Sequence, residues 1–202
     1  GSEMCIRDSD LAERWGIAGP VVVAGGAGDN AATAIGAGTV AEGQGFVSLG
    51  TSGVVFAASD RFLPAPDTAV HAFCHALPAT WHQMGVILSA SAALEWLAGV
   101  LNARAADLTQ DLGPLQTPGT ALFLPYLSGE RTPHNDALAK GVLAGLTPTT
   151  DRAALTRAVL EGVAFALADN LTALRAAGAD PGALLALGGG ARSDYWPVSY
   201  TH

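Results

Sequence analysis

The chain has 202 residues, half of them hydrophobic and only 14% charged, against about 25% charged in an average soluble domain, so it is built to bury a large core and is no disordered tail. A formal net charge of -8 with no Lys/Arg cluster argues against a nucleic-acid or anionic-membrane partner. Cys5 and Cys74 are the only cysteines, too few for a disulfide framework and in keeping with a reducing cytoplasm, and no apolar run approaches the ~18 residues of a membrane-spanning helix.

The two ends, GSEMCIRDS over 1–9 and PVSYTH over 197–202, lack the Ala/Gly/Leu-rich texture between them and read as vector- or adapter-derived sequence, which makes the rest a fragment. Residues 10–15 suit a helix end closed by Gly16. Val21 to Ala24 is a β-branched run that predicts a buried strand, opening into glycines at 25–28. Asp29 then stands where an N-cap would start a helix through Ala31, Ala32, Ala34 and Ile35. A carboxylate at a strand exit can cap the helix or accept a proton, because ligands of open α/β sheets bind beyond the carboxyl ends of the strands. The four glycines between Gly36 and Gly45 suit a domain junction or a simple loop.

Phe46 to Leu49 and Val54 to Ala57 are β-rich arms around Gly50-Thr51-Ser52-Gly53. That turn either closes a hairpin or lets backbone N–H groups surround phosphate oxygens. VHAFCHAL (70–77) and WHQMGVIL (81–88) are two further arms, so 46–88 predicts consecutive antiparallel strands. Ala92, Ala93, Trp96, Leu97, Val100 and Leu101 recur at helical spacing over 89–102, with Trp81 and Trp96 expected as buried anchors. Residues 110–119 form a proline-punctuated loop, and Ala121 to Leu124 a short strand leading into PYLSGERTPHND (125–136), expected at the surface. Asp151 caps a long helix to about Ala177, its buried stripe Leu155, Val159, Val163, Leu167, Leu171 and Leu174, with Arg175 in the last turn and Gly178 as terminator. Ala183 to Leu187 predicts another buried strand, running into Gly188-Gly189-Gly190. His71, Cys74 and His75 are metal-ligand types within five residues, but strand alternation turns neighbours to opposite faces, so packing explains them better. Glu130, Arg131, His134 and Asn135 would approach a nucleotide or brace a cleft through ion pairs, and bracing is the favoured reading.

Three glycine turns after apolar runs are what several strands converging on one phosphate-bearing ligand would produce, which by spacing alone goes no further than a nucleotide-binding α/β enzyme. VVVAGGAGDNAA, SLGTSGVVFA, HAFCHALPATWHQM, FLPYLSGERTPHND and LGGGARSDYW, in that order, carry more: from about Leu11 to Trp196 the chain resembles the FGGY family of carbohydrate kinases, most of all its xylulose-phosphorylating branch.

The resemblance implies an α/β, actin-like ATPase (ribonuclease H-like) fold, mostly its second domain plus the tail of the first. Residues 10–43 would close the first domain and 44–196 would form an incomplete second. It implies transfer of the γ-phosphoryl group of ATP, with Mg2+, to a sugar hydroxyl in the cytoplasm. Xylulose stands ahead of ribulose, glycerol, gluconate or fuculose as acceptor, with a homodimeric parent left open and no nucleic-acid or membrane partner. Asp29 matches the catalytic aspartate that takes the proton of the C5 hydroxyl, and Asn30 beside it would help orient the sugar. Gly50, Thr51 and Ser52 match the second phosphate-binding turn; Gly188, Gly189, Gly190 and Ala191 match the turn near adenosine. The family places no zinc at His71, Cys74 and His75. The likeness covers the last two fifths of such a kinase, so the fragment by itself is expected to be inactive. A reading from another class is an actin-like ATP-binding switch without sugar kinase activity.

Overall fold

A computed structural model of the chain describes residues 10–18, 26–110, 112–193 and 195–196; the expected strand over 21–24 and both outer segments lie outside the described residues. Residues 10–14 are helical and close at Gly16 as expected. Helix α1 (Asp29–Ala37) takes in Gly36 and ends at Gly38, so the first part of the glycine-rich stretch is helical. Gln44 organises the turn over 40–44, its Oε1 accepting the Val40 and Ala41 N–H groups at 2.8 and 2.9 Å.

Strands β1 (Gly45–Leu49), β2 (Gly53–Ser59), β3 (His71–Cys74) and β4 (Trp81–Ile87) come next, then helices α2 (Ser91–Val100) and α3 (Ala105–Gln110). A two-stranded ribbon of β5 (Leu122–Leu124) and β6 (Val142–Ala144) precedes the long helix α4 (Arg152–Ala176) and strand β7 (Leu184–Leu187). The main sheet has the order β3-β4-β2-β1-β7, antiparallel except for the parallel pair β1 and β7. The strands over 46–88 are antiparallel as expected, but β4 inserts between β2 and β3, an arrangement set by long-range packing that local spacing does not carry. Strand β7 is not buried: Leu185 is 48% exposed, because β7 ends the sheet among the described residues.

Strand alternation sorts the core onto two faces. Val47, Leu49, Val55, Ala57 and Ile87 pack with α2 and α4. Phe46, Phe56, Ala58, Met84 and Val86 face the other way, where α1 contributes Ala34. Helix α4 starts as its sequence dictates: the Asp151 carboxylate accepts the Ala154 N–H at 2.8 Å. It ends at Gly178, whose φ of +93° suits glycine. Its buried stripe is wider than expected. Ala158, Gly162, Ala166 and Ala173 are fully covered, while Leu155 and Leu171 are only half-buried. Gly162 is small by need, since a Cβ there would run into the Phe123 backbone carbonyl. No helix among the described residues is long and apolar enough to cross a membrane, although α4 has 25 residues.

Helix α2 is rotated from the expected face: Leu94 and Ala98 are buried with Ala93 and Leu97, whereas Val100 is 63% exposed. Trp96 is 37% exposed and stacks flat on Phe123, with centroids 5.5 Å apart, and Trp81 is half-buried, so neither is the buried anchor expected. Trp196 is the fully buried indole.

Candidate active site at the strand ends

Strands β1 and β7 run parallel in the register Gly45↔Leu184 to Ser48↔Leu187, so both reach the same edge of the sheet and there open into glycine turns. The turns pack on one another over Leu49. Gly188 has φ +90°, and a Cβ on it would stand 2.6 Å from the Leu49 carbonyl oxygen; one on Gly190 would stand 2.8 Å from the Leu49 Cβ. Only glycine permits this approach. Gly189 meets no atom of the described residues within 4 Å on its Cβ side and opens a short 3-10 helix containing Gly190, Ala191 and Arg192.

The Gly50 to Gly53 turn closes the β1–β2 hairpin, and its carbonyls are engaged. The Gly50 carbonyl accepts the Ser91 N–H at 2.9 Å, and the Thr51 carbonyl accepts Ala90 and Ala92 N–H at 2.9 and 3.2 Å. In a trans peptide the C=O of one residue and the N–H of the next point opposite ways. Pinning the Gly50 and Thr51 carbonyls onto the start of α2 therefore aims the N–H groups of Thr51 and Ser52 outward. Both residues are exposed, and neither amide has a partner among the described residues. Outward amides with two hydroxyls on a glycine-flanked turn suit an anionic oxygen, and the positive end of α2 lies directly behind them.

Asp29 belongs to α1, whose Ala34 packs on the other face of the sheet. Gly28 occupies the cap position, its carbonyl accepting the Ala32 N–H at 2.9 Å, and Asp29 is the first helical residue. The expectation of an Asp29 cap is thus corrected. Its Oδ1 accepts the Asn30 N–H at 2.8 Å and the Asn30 side-chain amide at 3.3 Å, still satisfying one open donor of the first turn. The other carboxylate oxygen has no hydrogen-bond partner among the described residues. Helix α1 rests on the sheet face away from α2 and α4, and Asn30 is half-buried beside the exposed Asp29.

The loop over 125–136 is not wholly superficial, because Glu130 and Thr132 are 2% and 1% exposed. Neither forms an ion pair among the described residues. Glu130 Oε1 accepts the Leu88 N–H at 3.0 Å and the Arg131 N–H at 2.7 Å. Thr132 Oγ1 accepts from Val86 N–H and donates to the Ala69 carbonyl, and its own carbonyl accepts the Asn170 amide at 2.9 Å. Burial pushes the Glu130 carboxyl above the usual carboxylate range, against the two N–H bonds that lower it. Arg131 and Asn135 stay exposed, and His134 Nε2 meets the Tyr126 hydroxyl at 3.0 Å. Thr132 and Asn170 carry no sequence signal of their own beyond membership of the loop and of a helix.

His71 and His75 belong to an aromatic cluster with Phe56, Phe73 and His82. His75 Nδ1 accepts the Leu77 N–H at 3.2 Å, so its Nε2 carries the proton and donates to the Thr39 carbonyl at 3.1 Å. Cys74 is exposed at the β3 edge. No group of three or more His, Cys, Asp or Glu side chains able to hold a metal occurs among the described residues.

Residues 45–197 match the family model for the C-terminal domain of the FGGY family of carbohydrate kinases. The chain belongs to the FGGY family. This FGGY chain is 51% identical over 190 residues to the xylulose kinase of Escherichia coli (strain K12), a match covering 93% of this chain and 39% of that protein. Among solved structures, a xyloylose kinase from Brucella ovis is 58% identical with a TM-score of 0.93, over 96% of this chain and 40% of that one. The xylulose kinase from Rhodospirillum rubrum is 29% identical with a TM-score of 0.84, over 95% and 39%. The FGGY chain thus spans about two fifths of the length of the relatives it matches. Its mixed sheet with helices on both faces belongs to the actin-like ATPase architecture of these sugar kinases.

Proposed function

We propose that this chain supplies the proton acceptor and one phosphate-binding side of an ATP-dependent kinase that converts D-xylulose to D-xylulose 5-phosphate in the cytoplasm. The observation that carries the reading is the meeting of two glycine turns over Leu49, one of them with its amides aimed outward. The xylulose kinases among its relatives point to the acceptor.

Asp29 takes the proton of the C5 hydroxyl as that oxygen attacks the γ-phosphorus, and the bond from phosphorus to the leaving ADP oxygen breaks. The Thr51 and Ser52 donors hold phosphoryl oxygens in line, which is where most catalysis of phosphoryl transfer resides. Gly188, Gly189, Gly190 and Ala191 give the adenosine a flat approach, and Asn30 orients both Asp29 and the sugar. The Mg2+ that accompanies ATP neutralises charge on its phosphates. Residues 10–43 close the first domain of the kinase and 44–196 belong to its second, so that sugar and nucleotide meet where the two face each other.

The test is a chimera in which residues 10–196 replace the matching stretch of the E. coli xylulose kinase. Xylulose-dependent ADP release is expected, and Asp29→Asn should lower kcat by about 10²- to 10⁴-fold with nucleotide affinity nearly unchanged. Turnover indifferent to Asp29→Asn would defeat the assignment. The 202-residue chain assayed alone should release no ADP with xylulose, because transfer requires donor and acceptor to be held in one geometry from both sides.

A further inference from the structure

Glu130 is a buried carboxylate in a loop otherwise rich in exposed polar residues, and the proposed phosphoryl transfer gives it no task. Its backbone is fixed by a reciprocal pair of bonds with Asp136, N–H to carbonyl in both directions at 2.8 Å. Its Oε1 holds the first amide beyond β4, that of Leu88, while its Oε2 is buried without a partner among the described residues. A carboxylate taken out of water with one oxygen unsatisfied is a poor source of stability. What it does supply is geometry.

Leu88 begins the short bend through Ser89 and Ala90 that joins β4 to α2. The next amides along the chain, Ala90, Ser91 and Ala92, engage the Gly50 and Thr51 carbonyls. Those bonds in turn point the Thr51 and Ser52 amides outward. A continuous run of hydrogen bonds and three residues of chain therefore links the Glu130 carboxyl to the orientation of the turn. Thr132, two residues on, is tied to Val86 in β4 by two bonds, so the loop over 130–132 is anchored beside the strand end it holds.

We infer that Glu130 is a positioning residue for the phosphate-binding turn, clamping the Leu88 amide so that the start of α2 holds the Gly50 and Thr51 carbonyls and presents the Thr51 and Ser52 amides to a phosphate group. The part concerning phosphate rests on the proposed kinase function; the clamp itself does not. The role needs an acceptor at Oε1 and no negative charge, so glutamine should replace glutamate and alanine should not.

The test is amide hydrogen exchange followed by NMR on the ¹⁵N-labelled 202-residue chain. In Glu130→Ala the Ala90, Ser91 and Ala92 amides should exchange about tenfold faster or more, the effect of losing one buried hydrogen bond, while amides of α4 and of the β1–β2 ladder keep their protection. Glu130→Gln should restore slow exchange. If Glu130→Ala unfolds the chain, Glu130→Asp, which withdraws the acceptor by one methylene, is read in the same way. Unchanged exchange at 90–92, a uniform loosening of the whole domain, or failure of Gln to rescue would each overturn the clamp. Inorganic phosphate and ADP are then titrated into the same samples. Shifts of the Thr51 and Ser52 amides in wild type and Glu130→Gln, lost in Glu130→Ala, are expected. Site-specific exchange without any phosphate- or ADP-induced shift in wild type would refute the phosphate role and leave the clamp standing.

Discussion

The two faces of the main sheet are built from different materials. Beneath α2 and α4 the core is aliphatic and closely fitted, with Val159, Leu160, Val163 and Leu174 fully buried and Gly162 giving way to the Phe123 backbone. On the opposite face Phe46 stacks on Phe56 at 4.5 Å and Phe56 on His82 at 4.6 Å, with His75 edge-on to both Phe56 and His82 at 6.0 Å. The first face carries the turns proposed to hold the nucleotide on a rigid support. The second is a ring stack containing titratable imidazoles, touched by the helix that starts with Asp29. Rigidity and sensitivity to pH are thus separated across one layer of backbone.

Leu160→Ala should give the largest loss on the aliphatic face, about 2–5 kcal/mol as for other fully buried leucines in helices packed on a core. Urea unfolding would measure it, and the loss should be the same at pH 7 and pH 5. A clear dependence on pH would mean that the two faces are energetically mixed.

The ring face should instead respond to acid. Burial, helped by the neighbouring His75, pushes the His82 imidazole down from 6.5 to about 4. Its neutral form is favoured in the fold, so that contribution is complete above pH 6.5 and is lost as pH falls toward 4. Linkage puts the loss at pH 5 at about 2 kcal/mol. His71, lowered by burial and then by Arg131, acts in the same direction. Glu130, raised by burial, acts in the opposite one: it favours the fold at low pH and loses that contribution as pH rises. His82→Phe should flatten the slope between pH 7 and pH 5 in a series of chemical denaturation curves. An unaltered slope in that variant would remove His82 as its source.

What could be read from the sequence divides along similar lines. Helix α4 with Asp151 at its start and Gly178 at its end, the hairpin around Gly50 to Gly53, and the glycine turn after β7 all come from local chemistry, since capping and turn residues act within a few positions. The insertion of β4 between β2 and β3, the partial exposure of Trp96, and the half-exposed β7 depend on partners far along the chain, to which periodicity is blind. Within the site, both glycine turns were legible as turns, but their meeting over Leu49 depends on the parallel pairing of β1 with β7, which sequence spacing does not specify. Polarity placed residues 125–136 outside, and it could not single out Glu130 and Thr132 as the two that turn inward to buried amides.

The smallest expected effects separate two aspartates that look alike in sequence, each at the head of an alanine-rich helix. Asp151 is an N-cap in the full sense, with extended backbone and its carboxylate on the amide three residues on, so Asp151→Ala should cost about 1 kcal/mol. Asp29 lies one position inside its helix, is exposed, and accepts only from its neighbour Asn30 among the described residues. Asn in its place keeps an acceptor for that N–H and loses only the charge near a helix start, so Asp29→Asn should change stability by no more than about 0.5 kcal/mol. Thermal unfolding of both variants checks the pair. A loss at Asp29 as large as that at Asp151 would make it a structural residue and weaken its assignment as proton acceptor. A near-zero change means that any collapse of phosphoryl transfer in the chimera carrying Asp29→Asn cannot be blamed on the fold, and the missing carboxylate is left as its cause.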